Sequence, residues 1–117
     1  MRKPNCYIAG PMRGIPDANF PAFDRAAAAL TASGYNVINP AELDRVYEGW
    51  SKTPPWGYEP SYQDRVRFIR RDLMSLCEFD PSEGDAIYLL VGWEGSAGAR
   101  AEQALAEFLG LRVIEEG

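Results

Sequence analysis

The sequence predicts an α/β fold, with four to five parallel strands in one domain and helices on both faces of the sheet. Three observations lead there. Short apolar strands alternate with helix-periodic segments in the order β-α-β-α-α-β-α-β, the pattern of parallel crossover units. The run Asp85-Ala86-Ile87-Tyr88-Leu89-Leu90-Val91 is almost continuously apolar, as a strand buried on both faces requires. The chain has 117 residues, 46% hydrophobic and 25% charged, which suits one ordinary globular core and is too short for two.

Each element has its own signal. Cys6-Tyr7-Ile8-Ala9-Gly10 reads as a strand ending in a glycine turn. Phe20, Phe23, Ala27 and Leu30 then recur at helical spacing, with Asn19 as the expected N-cap, Pro21 in the first turn and Gly34 as the stop. Tyr35-Asn36-Val37-Ile38 is a second strand, and a short helix is expected from Ala41 to Tyr47. Residues 49 to 60 interrupt the pattern: Gly49, Pro54, Pro55, Gly57 and Pro60 oppose regular structure, while Trp50, Trp56 and Tyr58 crowd the same stretch. Such a loop either tucks onto the core or covers a ligand. A long helix follows from about Ser61 to Phe79, with Val66, Ile69, Leu73 and Leu76 on one face. After the central strand, Gly92 to Gly98 is a loop, Ala99 to Leu109 a helix, and Leu111-Arg112-Val113-Ile114 the last strand. The whole corresponds to a Rossmann- or flavodoxin-like arrangement.

Composition excludes several chemistries. The chain contains no histidine, so a Ser-His-Asp triad, a Cys-His pair and histidine-ligated zinc are impossible. Its two cysteines, Cys6 and Cys77, form no CxxC pattern and support neither a disulfide framework nor a metal site. A net charge of −5 argues against a non-specific nucleic-acid surface, though not against binding one small anion. No apolar run approaches the roughly 20 residues of a membrane span, and the first residues lack a signal-peptide core, so a cytoplasmic protein is expected. No metal or other cofactor is expected. Carboxylates, hydroxyls, Arg, Lys or backbone must carry any reaction.

Ligands of open parallel sheets bind outside the carboxyl ends of the strands. That rule selects two loops, Gly10-Pro11-Met12-Arg13-Gly14 and Gly92-Trp93-Glu94-Gly95-Ser96-Ala97-Gly98. Both are glycine-rich, which lets backbone N–H groups approach an anion, and the second opens into a helix N-terminus. Neither matches GxGxxG or a Walker A sequence, so a dinucleotide or ATP site is poorly supported. By position alone, Glu102 is a helix carboxylate facing either solvent or ligand, and the small residues around it leave room for the latter. Asp72 reads as a surface ion-pair partner or a site acid, and Arg13 as a surface arginine or a phosphate clamp.

Taken in order, Tyr7-Ile8-Ala9-Gly10-Pro11-Met12, Asp72 on the long helix, Asp85 at the start of the central strand and Ser96-Ala97-Gly98-Ala99-Arg100-Ala101-Glu102 resemble the nucleoside 2-deoxyribosyltransferase superfamily. That group includes base-exchanging transferases and 2′-deoxynucleoside 5′-monophosphate N-glycosidases. The resemblance covers most of one domain, residues 1–117, apart from an aromatic-rich insertion at about 44–64. It implies that Glu102 attacks C1′ of a deoxyribosyl group, that Tyr7 orients the carboxylate, and that Asp72 protonates or holds the departing base. It also implies substrate contacts from Gly10, Arg13, Gly14, Ser96, Gly98 and Asp85. Trp50, Trp56 and Tyr58 are candidates to stack on the base.

Two positions bear on the substrate. Transferases of the superfamily carry an aspartate six residues before the nucleophile, suited to a free 5′-hydroxyl; here that position is Ser96, as in the glycosidases that hold a 5′-phosphate. Arg13-Gly14 is similar to the glycosidases' phosphate-binding arginine, whereas Pro11 is transferase-like. The expected activity is hydrolysis of a deoxynucleoside monophosphate. The alternatives are base exchange between nucleosides and a nucleotide-binding protein without turnover. The expected partners are a small nucleotide or nucleoside and a second copy of the chain in a homodimer or larger homo-oligomer; no nucleic acid or membrane is expected. The chain ends at Glu115-Glu116-Gly117 with little tail to offer a neighbour's site.

Overall fold

A computed structural model describes residues 2–47 and 61–117. Its elements follow the expected order: β1 (Asn5–Ala9), α1 (Phe20–Ala32), β2 (Asn36–Ile38), α2 (Pro40–Tyr47), α3 (Tyr62–Cys77), β3 (Ala86–Leu89), α4 (Ala97–Leu109) and β4 (Arg112–Glu115). Among the described residues the sheet has four strands, all parallel, in the order β2-β1-β3-β4. The fold is α/β, consistent with a Rossmann- or flavodoxin-like arrangement. Trp50, Trp56 and Tyr58 lie outside the described residues.

The pleat divides the core in two. In β1, Cys6 and Ile8 face Phe20, Phe23, Ala26 and Leu30 of α1 and Ala41 of α2. Tyr7 and Ala9 face the other way, against Leu76 of α3 and Ala99 and Ala106 of α4. Ala86 and Leu90 join the first cluster, and Ile87 and Leu89 the second. Side chains that alternate between two buried faces are the reason β1 and β3 are apolar at nearly every position.

Local chemistry sets the boundaries. Helix α3 opens with a reciprocal capping box: Asp64 N–H donates to Ser61 Oγ and Ser61 N–H to Asp64 Oδ2, each at 3.1 Å. Strand β3 is shorter than its apolar run. Leu90 N–H still reaches Ala9 C=O at 2.9 Å, but the chain then turns through Gly92 at φ 87°, leaving Val91 exposed. Asn19 precedes α1 as expected without capping it through its side chain. Its φ is 60°, and its Nδ2 donates instead to Pro11 C=O at 2.8 Å. Asp17 and Ala18 before it are also left-handed, at φ 57° and 53°.

Asp85 corrects one expectation. It precedes β3, at the amino end of the strands and away from the ligand loops, and it is fully buried. Its carboxylate accepts from both Nη atoms of Arg2 at 2.9 and 3.0 Å, from Asn5 N–H at 2.7 Å and from Asp80 N–H at 2.8 Å. Burial pushes its pKa up, but these donors outweigh it and pull the pKa down to about 2. Asp85 therefore ties the first residues and the turn before β3 to the sheet, at the end of the strands remote from the loops where ligand contact is expected.

Candidate active site

Strands β1 and β3 are adjacent, yet the chain leaves them in opposite directions. From β1 it crosses to β2, and from β3 to β4. Their carboxyl ends form the switch point where open α/β sheets hold ligands. A cavity of about 730 Å³ lies there. The loop after β1 supplies Gly10, Arg13 and Gly14, and the loop entering α4 supplies Ser96 and Gly98. Tyr7, Asp72 and Glu102 line it as well, so every expected catalytic residue and every expected substrate contact except Asp85 meets at one cavity.

Tyr7 sits mid-strand with no exposure, and its hydroxyl donates to Glu102 Oε2. Helix α4 brings Glu102 into range because Ala99 and Ala106 pack flat on the strand face that carries Tyr7. The small residues Gly98 and Ala101 keep the cavity side of α4 low beside the carboxylate. Burial raises the pKa of Glu102 to about 8; the neighbouring Asp72 charge adds to this, while the Tyr7 bond and the Arg71 charge oppose it. Burial, then the charges of Glu102 and Asp72, raise the Tyr7 phenol as well, so it remains a donor. A buried carboxylate held by one phenol suits nucleophilic or acid–base work.

Asp72 reaches the cavity from α3. Arg71 Nε donates to Asp72 Oδ1 at 2.8 Å, and the same guanidinium pairs with Asp44 Oδ1 of α2 at 2.9 Å. Arg71 also stands over the Phe68 ring at 5.5 Å from its centroid. Phe68 and Asp72, and likewise Ile69 and Leu73, are four residues apart on α3, and all four line the cavity. The apolar members, Phe68, Ile69 and Leu73, make a wall on α3 fit for a planar ring.

The two loops supply the groups suited to an anion. Gly10 is required by close approach, since a Cβ there would stand 2.7 Å from Leu90 Cδ1. Gly14 turns at φ 77°. Ser96 caps α4, its Oγ accepting from Ala99 N–H at 3.1 Å, which leaves the hydroxyl proton to donate. Arg13 is exposed at the rim, whereas Arg100 is engaged with Glu94 C=O at 2.7 Å.

Sequence reasoning put Ile69 and Leu73 on one face of the long helix but gave neither them nor Phe68, Arg71 and Asp44 a place at the site. The wall was legible in the four-residue spacing on α3. Asp44 carried no local signal, because its partner lies on another helix. Among the described residues, no group of three or more His, Cys, Asp or Glu could hold a metal, and no helix is long and apolar enough to cross a membrane.

Fold and site together define a small α/β protein whose switch-point cavity pairs a buried tyrosine and glutamate with a glycine-rich, serine-capped helix N-terminus. A family profile matches nearly the whole chain, residues 4–115, and the chain belongs to that family: DUF4406, described as a domain of unknown function. A search of curated proteins gave no match.

Proposed function

We propose that the protein hydrolyses the N-glycosidic bond of a 2′-deoxynucleoside 5′-monophosphate. The observation that carries this reading is the Tyr7–Glu102 pair in a cavity also lined by Asp72, by the apolar residues of α3, and by Ser96, Arg13 and a helix N-terminus. It agrees with the resemblance of the same residues to the nucleoside 2-deoxyribosyltransferase superfamily.

In this reading the 5′-phosphate lies between the two loops, where backbone N–H groups, Ser96 and Arg13 favour an anion. The base lies against Phe68 and accepts orientation from Asp72. Glu102 in its carboxylate form attacks C1′; the C1′–N bond breaks, its electron pair leaves with the base, and the base takes up a proton. Water then attacks C1′, releasing Glu102 as carboxylate, and the proton it sheds replaces the one the base removed. One water is consumed per bond broken. Arg71 on Oδ1 of Asp72 favours a holding role for that carboxylate over proton donation.

Base release from deoxynucleoside 5′-monophosphates, each paired with its unphosphorylated nucleoside, tests the reading. Release is expected from monophosphates only, and Glu102→Ala should reduce it by at least about 10³-fold. Base exchange between free nucleosides would replace hydrolysis by transfer, the reading that Pro11 favours. Nucleotide binding that survives Glu102→Ala, with no turnover by the wild type, would make the protein a binding module.

A further inference from the structure

The mechanism above uses no residue of α2, yet α2 places a carboxylate one side chain away from the cavity. Asp44 is 3% exposed. Its Oδ1 lies 2.9 Å from Arg71 Nη1, while Arg71 Nε donates to Asp72 Oδ1 at 2.8 Å. One guanidinium thus joins two carboxylates from two helices, and only Asp72 of the two lines the cavity. Asp44 thus adds a second carboxylate to the Arg71–Asp72 pair. Burying a further carboxylate is costly, and a buried ion pair is weak evidence of stabilisation. The geometry offers another reason for it. A guanidinium is a rigid fork that binds a carboxylate best through two parallel N–H groups. Tethered at Nη1 to α2, Arg71 is restrained from turning that fork fully onto the cavity carboxylates.

We propose that Asp44 is a positioning residue for the cavity: it anchors Arg71 so that the guanidinium holds Asp72 in the orientation that meets the base and stays off Glu102. The Asp72 half of this rests on the glycosidase reading; the anchoring of Arg71 relative to Glu102 does not. Among the described residues, the titratable and charged groups that act on Glu102 are Tyr7 from β1 and Asp72 and Arg71 from α3, and Asp44 acts on it through Arg71. Removing the anchor frees positive charge to move toward Glu102, which favours its carboxylate form. The midpoint of Glu102 therefore falls when Asp44 is neutralised.

The test is a double-mutant cycle with Asp44→Asn, Arg71→Gln and the pair. Base release is read as kcat and KM across pH, and the Glu102 carboxyl titration is followed by carbon-13 NMR. Asp44→Asn is expected to lower kcat about 10- to 100-fold with little change in KM. It should also move the acidic limb and the Glu102 midpoint to lower pH. Both effects should vanish in the Arg71→Gln background, because Asp44 acts through that side chain. A lowered Tm with unchanged kcat and an unchanged Glu102 midpoint would make Asp44 a structural residue and overturn the proposal. Should the wild type release no base, the glycosidase reading fails by itself. The NMR midpoint then decides for Asp44: a fall supports the anchor, and no change overturns it. Should Asp44→Asn fail to fold, Arg71→Lys replaces it. That variant keeps the charge but loses the fork, and it should show the same loss of kcat; wild-type kcat would overturn the proposal.

Discussion

Glu102 couples the site to stability through one proton. Its carboxyl titrates near 4.5 in its ordinary state and near 8 in the fold. Between those values the folded chain keeps a proton that the unfolded chain has released. The contribution of Glu102 to stability is therefore complete below about pH 4.5 and lost as pH rises through about 8. Thermal melts of Glu102→Gln should show a smaller fall in Tm between pH 5 and pH 8 than the wild type. An equal fall in both would place the titration elsewhere. In the proposed hydrolysis the same proton must leave before Glu102 attacks, so kcat/KM should rise with pH toward a limb near 8.

At the scale of elements, helix α4 has two duties that meet at Ser96. Its hydroxyl caps the helix, and it lines the cavity where the proposed reading puts a phosphate. Ser96→Ala should cost about 1 kcal/mol of stability, read from urea unfolding. It should also raise KM for a monophosphate more than for the matching nucleoside. Equal effects on both substrates would assign Ser96 to capping alone.

The elements also show what was legible beforehand. Helical spacing identified α1 and α3, glycine and proline marked their ends, and the apolar run marked β3, because those signals are local. The Tyr7–Glu102 pair was legible only once the parallel topology and the family resemblance were combined. Asp44 and Arg71 were missed because 27 positions of chain separate them and nothing at either end marks a partner. Asp85 was misplaced because a carboxylate opening a strand can face either a ligand or the chain's own N–H groups. The left-handed residues Asp17 to Asn19 contain no glycine, the one residue that would have signalled such a turn.

For the whole molecule, Asp85 is the tie at the end of the sheet remote from the cavity. It joins Arg2, Asn5 and Asp80 to the strand layer, so its loss should weaken the entire domain. Asp85→Asn should lower the unfolding free energy by roughly 2–3 kcal/mol, since hydrogen bonds to a charged group are lost while their donors remain. The pKa of Asp85 is depressed in the fold, from 3.8 to about 2. Its contribution is thus present above pH 3.8 and lost as pH falls through about 2. Acid unfolding of the variant should be shallower across that window. An unchanged acid transition would show that other carboxylates govern it.

Tyr7 is a core side chain and a cavity side chain at once. It belongs to a strand with a neighbour on each side, and the helix that carries Glu102 packs against that strand. The pair is therefore assembled by folding itself, with no loop closure needed to bring its two members together. Parting the elements that carry them means lifting α4 from the sheet and breaking the core cluster around Tyr7. The Tyr7 amide should accordingly exchange its hydrogen for deuterium only through global unfolding, with a protection equal to the full stability of the chain. The pair should persist for as long as there is a fold to hold it.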